Sequence, residues 1–339
     1  MIDLRSDTLT RPTPGMKNAM MEAEVGDDVF GEDPSINALE KMAAGIFGRE
    51  AALFCPSGTM TNQIAIKVHT QPGDEVVCSD MAHVYIYEGG GMAFNSGCQA
   101  RPIPGDLGRI TAAQIEQVIN PPDDHKARTT LVCLENTSNR GGGSCYDLQE
   151  IIRIRALCQK KGIHLHLDGA RLFNALVATG QTASQYGGLF DTISLCLSKG
   201  LGCPVGSVLI GDRDMIGEAR RIRKKFGGGM RQAGFLAAAG IYALNHHVDR
   251  LLQDHEHARQ IAASLTKKSF IRNLLPVQTN ILIFSVTGSW NPKTFAEKLK
   301  GEGIIVMPIS PTQVRMVTHL DISPKMVDQV CTSIEAMKD

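Results

Sequence analysis

The sequence lacks the features that mark several large classes of protein. Its 35 lysines and arginines balance its 35 aspartates and glutamates, so charge gives no reason to expect nucleic acid or a membrane surface as a partner. No apolar run approaches the ~18 residues of a membrane span. The start of the chain has neither the basic nor the apolar region of a signal peptide. No G-x-G-x-x-G or P-loop follows the first predicted strand, which argues against a simple nucleotide-binding module.

The nine cysteines are an odd number, are scattered, and include no Cys-x-x-Cys pair. Neither a disulfide framework nor a zinc site is therefore expected. Several, such as Cys133 and Cys196, lie in apolar strand patterns and are interpreted as small core residues. Together these absences predict a soluble protein of the reducing cytoplasm.

Strand and helix patterns alternate over most of the 339 residues. This alternation predicts an α/β fold in which helices cover both faces of a mostly parallel sheet. The predicted strands are Ala51–Phe54, Glu75–Cys78, Thr130–Leu134, Ile163–Leu167, Thr192–Leu197 and Ser207–Ile210.

After about Asn245 the pattern changes to that of a small α+β domain. The predicted elements are a polar helix at Asp249–Leu265, strands at Thr279–Val286, Gly303–Pro308 and Val314–Val317, and helices at Pro292–Lys300 and from Ser323. We therefore expect an N-terminal segment (1–20) that associates with the active site, a large α/β domain (21–245) and a small C-terminal domain (246–339).

Two residues that can carry chemistry follow predicted strands. Asp168 follows the strand at 163–167, and Lys199 follows the strand at 192–197. The carboxyl ends of parallel strands meet at one edge of the sheet, where open α/β sheets bind ligands. A lysine that forms a Schiff base and an aspartate that pairs with a pyridinium nitrogen are the groups that pyridoxal 5'-phosphate requires.

The turn Ser57-Gly58-Thr59 lies between a predicted strand and a predicted helix. Hydroxyl groups, backbone N–H groups and the positive end of the helix dipole can bind an anion there. Taken alone, the turn is better interpreted as an ordinary helix N-cap. Together with Lys199 and Asp168, it is interpreted as a phosphate site.

Several other residues leave alternatives open. His164, His166 and Asp168 would share one strand face, which also suits a metal, but no second cluster completes a site, so no metal is expected. The histidines on polar helix patterns are expected to be solvated: His246, His247, His255 and His257. Arg171 is either a carboxylate clamp or a surface arginine.

The glycine-rich segment Gly227–Gln232 is either a simple connection between helices or a flexible strap that carries Arg231 to a phosphate.

Several long motifs occur together in this chain. They are Asp3–Thr8, Val25–Pro34, Pro56–Met60, Leu165–Asn174, Leu197–Ser207, Arg223-Lys224, Gly227–Gly234 and Val317–Asp321. In these motifs, which span nearly the whole sequence, the chain resembles L-threonine aldolases of the low-specificity or L-allo type. That resemblance implies the aspartate-aminotransferase-like fold type I of pyridoxal-phosphate enzymes, with a seven-stranded sheet in the large domain.

The resemblance also implies roles for individual residues. Lys199 would form the Schiff base, Asp168 would hold the pyridine nitrogen protonated, and His83 would lie over the cofactor ring. The remaining cofactor contacts would be Ser57, Gly58, Thr59, Arg171, Ser198, Lys224 and Arg231, the last reaching in from a neighbouring subunit. The substrate carboxylate would be bound by Ser6, Arg171 and Arg315. His125 would enter the active site of a neighbouring subunit in a homotetramer.

The activity so implied is retro-aldol cleavage of L-threonine or L-allo-threonine to glycine and acetaldehyde through a quinonoid intermediate. His83 is the first candidate for the base and His125 the second, acting directly or through water. The chain departs from the family at Ser138, where histidine is common, and at Cys203, where alanine is usual.

Two alternatives remain. An aminotransferase or β-eliminating lyase would share Lys199 and Asp168, and a non-catalytic cofactor-binding protein would be expected to lack the carboxylate clamp.

Overall fold

A computed structural model describes residues 1–338. The strands are β1 (Ile2–Asp3), β2 (Ala51–Cys55), β3 (Glu75–Ser79), β4 (Gln99–Ile103), β5 (Thr129–Glu135), β6 (His164–Gly169), β7 (Thr192–Cys196), β8 (Ser207–Gly211), β9 (Ile271–Arg272), β10 (Ile281–Val286), β11 (Ile304–Ile305), β12 (Met307–Pro308) and β13 (Gln313–Val317). The α-helices are α1 (Pro14–Met21), α2 (Pro34–Ile46), α3 (Gly58–His69), α4 (His83–Ile86), α5 (Ala112–Val118), α6 (Leu148–Lys161), α7 (Leu172–Thr179), α8 (Ala183–Gly187), α9 (Arg213–Lys225), α10 (Gly234–His246), α11 (Leu251–Leu265), α12 (Pro292–Gly301) and α13 (Pro324–Ala336).

A seven-stranded sheet forms the centre of the fold, in the order β2-β8-β7-β6-β5-β3-β4. The neighbours from β4 to β7 pair in parallel, and β8 pairs antiparallel with both β7 and β2. The mostly parallel sheet predicted from the alternating patterns is therefore confirmed. The six predicted strands agree with the structure to within two residues at each end.

The seventh strand, β4, was not predicted. Its residues Gln99–Ile103 are mostly half-buried or exposed, and it pairs only with β3 at the edge of the sheet. An edge strand that includes Pro102 and polar side chains lacks the apolar run by which buried parallel strands are found.

A second, antiparallel sheet has the order β12-β13-β10-β9. The run Gly303–Pro308, predicted as one strand, forms two short strands, because β11 pairs in parallel with β1 whereas β12 pairs with β13. Ile2 and Leu4 lie in the apolar core of this smaller sheet, which ties the N-terminal segment to it. The exact division at residues 20 and 245 stays a prediction.

The histidines of the polar helix patterns correct another expectation. His247, His255 and His257 are buried, and only His246 of the four is exposed. Helix α11 packs against α7 and α13, and the Nε2 atom of His255 lies 3.1 Å from the Oδ1 atom of Asn174. Burial lowers the pKa of His255 to about 4. The prediction of solvated rings was wrong for three of the four.

The topology brings distant parts of the chain to one edge of the large sheet. Strands β5 and β6 end at Glu135 and Gly169, and Lys199 follows β7 in the next loop. Helix α3 begins at the same edge, directly after β2. Within residues 1–338, no helix is long and apolar enough to cross a membrane.

Two adjacent glycines at the end of α8 offer a test of packing under this sheet. A Cβ atom on Gly187 would lie 1.7 Å from the carbonyl oxygen of Phe47, whereas one on Gly188 would meet no atom within 4 Å. We expect Gly187→Ala to lower the free energy of unfolding by about 1–3 kcal/mol, since the helix must move away from Phe47. Gly188→Ala should change it by less than about 0.5 kcal/mol. Thermal unfolding followed by circular dichroism measures both, and equal melting temperatures for the two variants would contradict this packing.

Candidate active site

Asp168 lies at the end of β6 with its carboxylate buried. Its Oδ1 atom accepts a hydrogen bond from the backbone of Ala170 (3.0 Å), and its Oδ2 atom accepts one from the Nδ2 atom of Asn62 (2.9 Å). Both donors are neutral, so they orient the carboxylate without cancelling its charge. Such a group is suited to holding a cation, for instance a protonated ring nitrogen.

Lys199 lies in a tight loop after β7. Its carbonyl oxygen accepts hydrogen bonds from the amide of Gly202 (2.8 Å) and from the hydroxyl of Thr10 (3.0 Å). Gly202 has a φ of +78°, in the left-handed region that favours glycine. The ammonium charge of Lys199 interacts with Asp7 and with His83, which places the lysine in the same polar cluster as both.

Helix α3 begins at the predicted phosphate site. Ser57 caps the helix by accepting a hydrogen bond from the amide of Met60 (3.2 Å), and Gly58 and Thr59 form the first turn. The hydroxyl of Ser207, on β8, is buried without a hydrogen-bond partner in residues 1–338, and a Cβ atom on Gly58 would lie 3.4 Å from it. This unpartnered hydroxyl and the helix terminus together fit the phosphate group of the predicted cofactor.

Two further predicted cofactor contacts, Ser198 and Lys224, lie in other parts of the fold. The hydroxyl of Ser198 lies 3.5 Å from the sulfur of Cys196. Lys224 is exposed at the end of α9, with its side chain packed beside Gly229. Their cofactor roles stay predictions.

Arg231 is held by a loop that precedes α2. Its guanidinium forms an ion pair with Asp27 (2.9 Å), and its carbonyl accepts a hydrogen bond from the amide of Asp28 (3.2 Å). In the same loop, the carboxylate of Asp33 accepts a hydrogen bond from the amide of Gly234 (2.8 Å). The motifs Val25–Pro34 and Gly227–Gly234 therefore form one unit. The contact of Arg231 with a neighbouring phosphate stays a prediction.

Arg171 forms a buried, bidentate ion pair with Asp7 of the N-terminal segment. Its Nε and Nη2 atoms lie 2.7 and 2.8 Å from the two carboxylate oxygens. Burial alone would raise the pKa of Asp7, but the charge and hydrogen bonds of Arg171 lower it to about 2. Because Asp7 occupies this edge of the guanidinium, the predicted contact of Arg171 with a substrate carboxylate is left to its Nη1 atom.

Arg315, on β13, has no carboxylate partner in the described chain. Its Nη1 atom donates to Asn139 (3.1 Å), which also accepts from Arg171 (3.3 Å), and its Nη2 atom donates to the carbonyl of Arg5 (3.0 Å). Burial lowers the pKa of Arg315, and the charge of Arg171 lowers it further. Ser6 is the next residue after Arg5. Its hydroxyl oxygen accepts hydrogen bonds from the amide (3.2 Å) and the hydroxyl (2.8 Å) of Thr8, so its contact with a substrate carboxylate stays a prediction. Arg315 itself offers a guanidinium without an acidic partner, as binding of a carboxylate requires.

A cavity of about 380 Å³ opens beside Arg315. Its walls include His83, Tyr87 and Asn139 as well as the apolar side chains of Met307 and Ile309. The cavity therefore combines a cation, an imidazole and an apolar surface, which suits an amino acid with a short side chain.

His83 begins α4, and two buried carboxylates hold it. Its amide donates to Glu135 (2.7 Å), and its Nδ1 atom lies 2.9 Å from the Oε1 atom of Glu88. Burial opposes the charged ring, but the hydrogen bond to Glu88 and the charge of Asp168 raise its pKa above the ordinary value. Burial and the nearby charge of Asp168 raise the pKa of Glu135 to about 7.

Sequence reasoning missed four polar residues of this cluster. Asn62, Glu88, Glu135 and Asn139 belong to no spacing motif that carries chemistry. For two of them, the position in the sequence indicates burial. Asn62 lies within the apolar pattern of α3, and Glu135 ends an apolar strand. A polar side chain in such a pattern needs a buried partner.

His125 is not brought into the site of its own chain. Its side chain is 94% exposed, and its Nδ1 atom lies 3.0 Å from Asp123 in the same loop. Its predicted entry into a neighbouring active site stays a prediction.

The three residues considered for a metal do not converge on one point. The ring of His164 packs on His69 at the surface, whereas His166 is buried and bonds to Asn62 and Thr192.

Within residues 1–338, the potential metal ligands that do converge are His83, Glu88 and Asp168, whose ligand atoms lie within 4.8 Å of one another. Asn62 already donates to both carboxylates, so a cation would have to displace its amide group.

Comparison with known proteins gives one consistent result. The family model for beta-eliminating lyases matches residues 3–288. The low specificity L-threonine aldolase of Escherichia coli K12 is 43% identical, covering 97% of both chains, and low-specificity L-threonine aldolase 1 of Arabidopsis thaliana is 39% identical over 95% of this chain and 92% of its own. The threonine aldolase structure from Leishmania major superposes with a TM-score of 0.86 at 22% identity, covering 99% of each chain. This likeness confirms the predicted fold class.

The ion pair between Asp7 and Arg171 predicts an acid-dependent loss of stability. The folded-state pKa of Asp7, about 2, lies below the ~3.9 of an unfolded aspartate. The contribution of Asp7 to the free energy of unfolding is therefore present above pH ~4 and is lost as the pH falls toward 2.

At neutral pH, Asp7→Asn leaves Arg171 buried without its counter-charge, which should cost about 3–5 kcal/mol of stability. Asp3→Asn, which breaks a pair with Arg5 at the surface, should cost less than about 1 kcal/mol. Melting temperatures measured from pH 7 to pH 3 should show the Asp7 deficit shrinking with acidity, and a constant deficit would argue against the ion pair.

Proposed function

Because the chain belongs to the beta-eliminating lyase family and, within it, to the low-specificity L-threonine aldolases, we propose that it cleaves L-threonine and L-allo-threonine to glycine and acetaldehyde with pyridoxal 5'-phosphate as cofactor. The observation that carries this proposal is the position of Lys199, Asp168 and the unpaired Arg315 around one edge of the large sheet. They supply an amine, a carboxylate for a ring cation, and a cation for the substrate carboxylate.

The residues of the site fit this cofactor. Lys199 would bind it covalently through its amine, Asp168 would hold its ring nitrogen, and Ser57, Gly58 and Thr59 would hold its phosphate. The cofactor, when bound, supplies an electron sink for the bond that breaks at the α-carbon.

The protein would orient the substrate mainly through its carboxylate. Arg315 offers a guanidinium without an acidic partner and donates to the carbonyl of Arg5, the residue before Ser6, whose hydroxyl would assist it. The Nη1 atom of Arg171 would support Arg315 through the shared Asn139. A carboxylate fixed in this way sets which substituent of the α-carbon is aligned for cleavage.

His83 would remove the proton of the β-hydroxyl group, directly or through water. It lines the same cavity as Arg315, so one ring can reach the side chain of a substrate whose carboxylate binds to that arginine. His125, contributed by a neighbouring subunit, is the second candidate for this role.

A β-eliminating lyase is the second candidate function. The description of the matching family model favours it, and such an enzyme would use the same lysine and aspartate. Its products would include a keto acid, so the products distinguish the two reactions.

The proposed assembly is a cytoplasmic homotetramer in which neighbouring subunits complete each site. Large aromatic side chains are exposed on the single chain, with Phe94 90% and Phe30 73% accessible, as on surfaces that associate. The side chains of His125 and Arg231 are 94% and 54% exposed on the single chain, so both are accessible to a neighbouring subunit. All nine cysteines are free, which suits a reducing compartment.

The test is to follow acetaldehyde, glycine and keto acid from L-threonine and L-allo-threonine with the purified protein and pyridoxal 5'-phosphate. We expect acetaldehyde and glycine from at least one of the two, and the ratio of rates gives the preference at the β-carbon. Keto acid without acetaldehyde would favour the β-eliminating lyase, and no product would refute both.

Lys199→Ala should abolish the visible absorbance of the covalently bound cofactor and reduce acetaldehyde release by at least a thousandfold, on the order of what a nucleophilic amine contributes. Lys325→Ala, on an exposed position of α13, should leave both unchanged. Full turnover by Lys199→Ala would show that another group binds the cofactor.

A further inference from the structure

The carboxylate of Glu88 is fully buried beside the active site, and no part of the proposed reaction uses it. Three side chains bind it: its Oε1 atom bonds to Asn62 (2.8 Å) and to the ring of His83 (2.9 Å), and its Oε2 atom bonds to Gln63 (2.7 Å). Hydrogen-bond partners therefore face both of its oxygens, as a buried carboxylate requires. Burial of a carboxylate costs free energy, so a buried carboxylate with three side-chain partners calls for an explanation.

A second set of hydrogen bonds fixes the orientation of Asn62. Its Nδ2 atom donates to both Glu88 and Asp168, so its Oδ1 atom must be the one that lies 3.1 Å from the Nε2 atom of His166. An amide oxygen only accepts, so His166 carries its proton on Nε2 and accepts at Nδ1 from the hydroxyl of Thr192 (2.8 Å). Burial lowers the pKa of His166 to about 4, which keeps this ring neutral. The two N–H groups of Asn62 are thereby committed to the two carboxylates.

This network determines which nitrogen of His83 carries a proton. An ionised carboxylate accepts hydrogen bonds and donates none, so the proton between the ring and Glu88 lies on Nδ1. The neutral ring then carries its lone pair on Nε2, on the edge opposite the buried carboxylate. Since His83 is partly exposed and lines the cavity beside Arg315, this is the edge available to a substrate.

We propose that Glu88 is a positioning residue that holds His83 in the Nδ1–H form, so that Nε2 is free to take the proton of the substrate's β-hydroxyl group. In that step the O–H bond breaks, a bond forms between the proton and Nε2, and the ring becomes a cation that Glu88 stabilises through Nδ1–H. This inference rests on the proposed function for its substrate. It does not depend on that function for the state of the His83 ring.

The charges that face His83 agree with this role. Glu88 and Asp168 favour its protonated form, the ammonium of Lys199 opposes it, and Glu135 accepts a hydrogen bond from its backbone amide. Among these groups Glu88 alone hydrogen-bonds the ring. Replacement of Glu88 by a neutral residue should therefore lower the pKa of His83, because it removes both a negative charge and a hydrogen bond to the ring.

The test compares Glu88→Gln with a matched control, Glu75→Gln. Glu75 is equally buried on β3 and is also held by neutral side chains, those of Gln99, Asn120 and Thr129, but it does not contact His83. We expect Glu88→Gln to lower kcat for acetaldehyde release roughly 10- to 100-fold with little change in KM, part of the 10²–10⁴-fold that a positioned proton-transfer group contributes. Glu75→Gln should leave kcat unchanged even where it lowers the melting temperature.

A double substitution separates action through His83 from a general structural effect. If Glu88 acts through the ring, Glu88→Gln should reduce kcat in the wild-type background and have no further effect in His83→Asn. Losses that multiply in full in the double variant would overturn the proposal. Glu88→Asp, which keeps the charge, should recover part of the lost activity and serves if Glu88→Gln does not fold.

Nitrogen NMR of ¹⁵N-histidine-labelled protein tests the ring without turnover, with His83→Asn assigning the signal. We expect an Nδ1–H ring in the wild type and a lower His83 pKa in Glu88→Gln. An Nε2–H ring in the wild type, or an unchanged pKa in the variant, would refute the proposed role of Glu88. Absence of acetaldehyde from the wild type would instead refute the proposed function, and the NMR result would then decide the state of His83 alone.

Discussion

The buried ion pair between Asp7 and Arg171 is the constraint on which the site depends. Each charge removed from water costs several kcal/mol unless a partner is held in good geometry, and here the contact is bidentate. Asn280, directly before β10 of the small sheet, also donates to Asp7 (3.3 Å). One carboxylate thus joins the N-terminal segment, the loop after β6 and the segment that leads into the small sheet. The N-terminal segment cannot shift away from the loop after β6 without unpairing a buried charge.

The same pair distinguishes the two arginines of the site. Arg171 and Arg315 both donate to Asn139, so two guanidinium groups lie side by side. Asp7 neutralises the first, and nothing acidic within residues 1–338 pairs with the second. Repulsion between the two cations is therefore only partly relieved in the free protein, and a bound carboxylate would relieve it further. In the proposed site, affinity for a substrate carboxylate would therefore depend on how the N-terminal segment is anchored.

The opposite charge dominates the other side of the site. Asp168, Glu88 and Glu135 are buried within one cluster, and their hydrogen-bond donors, apart from the ring of His83, are neutral amides. Burial raises the pKa of Glu135 to about 7, and the negative charge of Asp168 contributes to the rise. A cationic ring held by Asp168 would counter this negative charge, as would a protonated His83. The side of the site with Asp168, Glu88 and Glu135 therefore favours a positively charged cofactor ring. The side with Arg171 and Arg315 favours a negatively charged carboxylate.

The sequence was sufficient where a feature depends on neighbouring residues. Short apolar runs located six strands of the large sheet because a strand that is buried on both faces is apolar throughout. Helix Asp249–Leu265 was located correctly but its surroundings were not, because whether His255 meets water depends on α7 and α13, far along the chain. Strand β4 escaped detection since an edge strand needs no apolar run.

The residues that sequence reasoning missed share a physical cause. Asn62 is 106 residues from Asp168, and Arg171 is 164 residues from Asp7, so no local pattern records either contact. Arg171 was named as a site residue, but its partner Asp7 was not. Asn62 is polar at a position that a pattern assigns to the interior, which indicates that it has a buried partner but not which residue that partner is. Lys199 and Asp168 could be named because a cofactor constrains their types, whereas His83 and Arg315 were named only through the family resemblance. The residues that orient them, Asn62 and Glu88 above all, are constrained only by hydrogen-bond geometry, and that geometry exists only once the sheet has brought α3, β6 and the segment after α4 together.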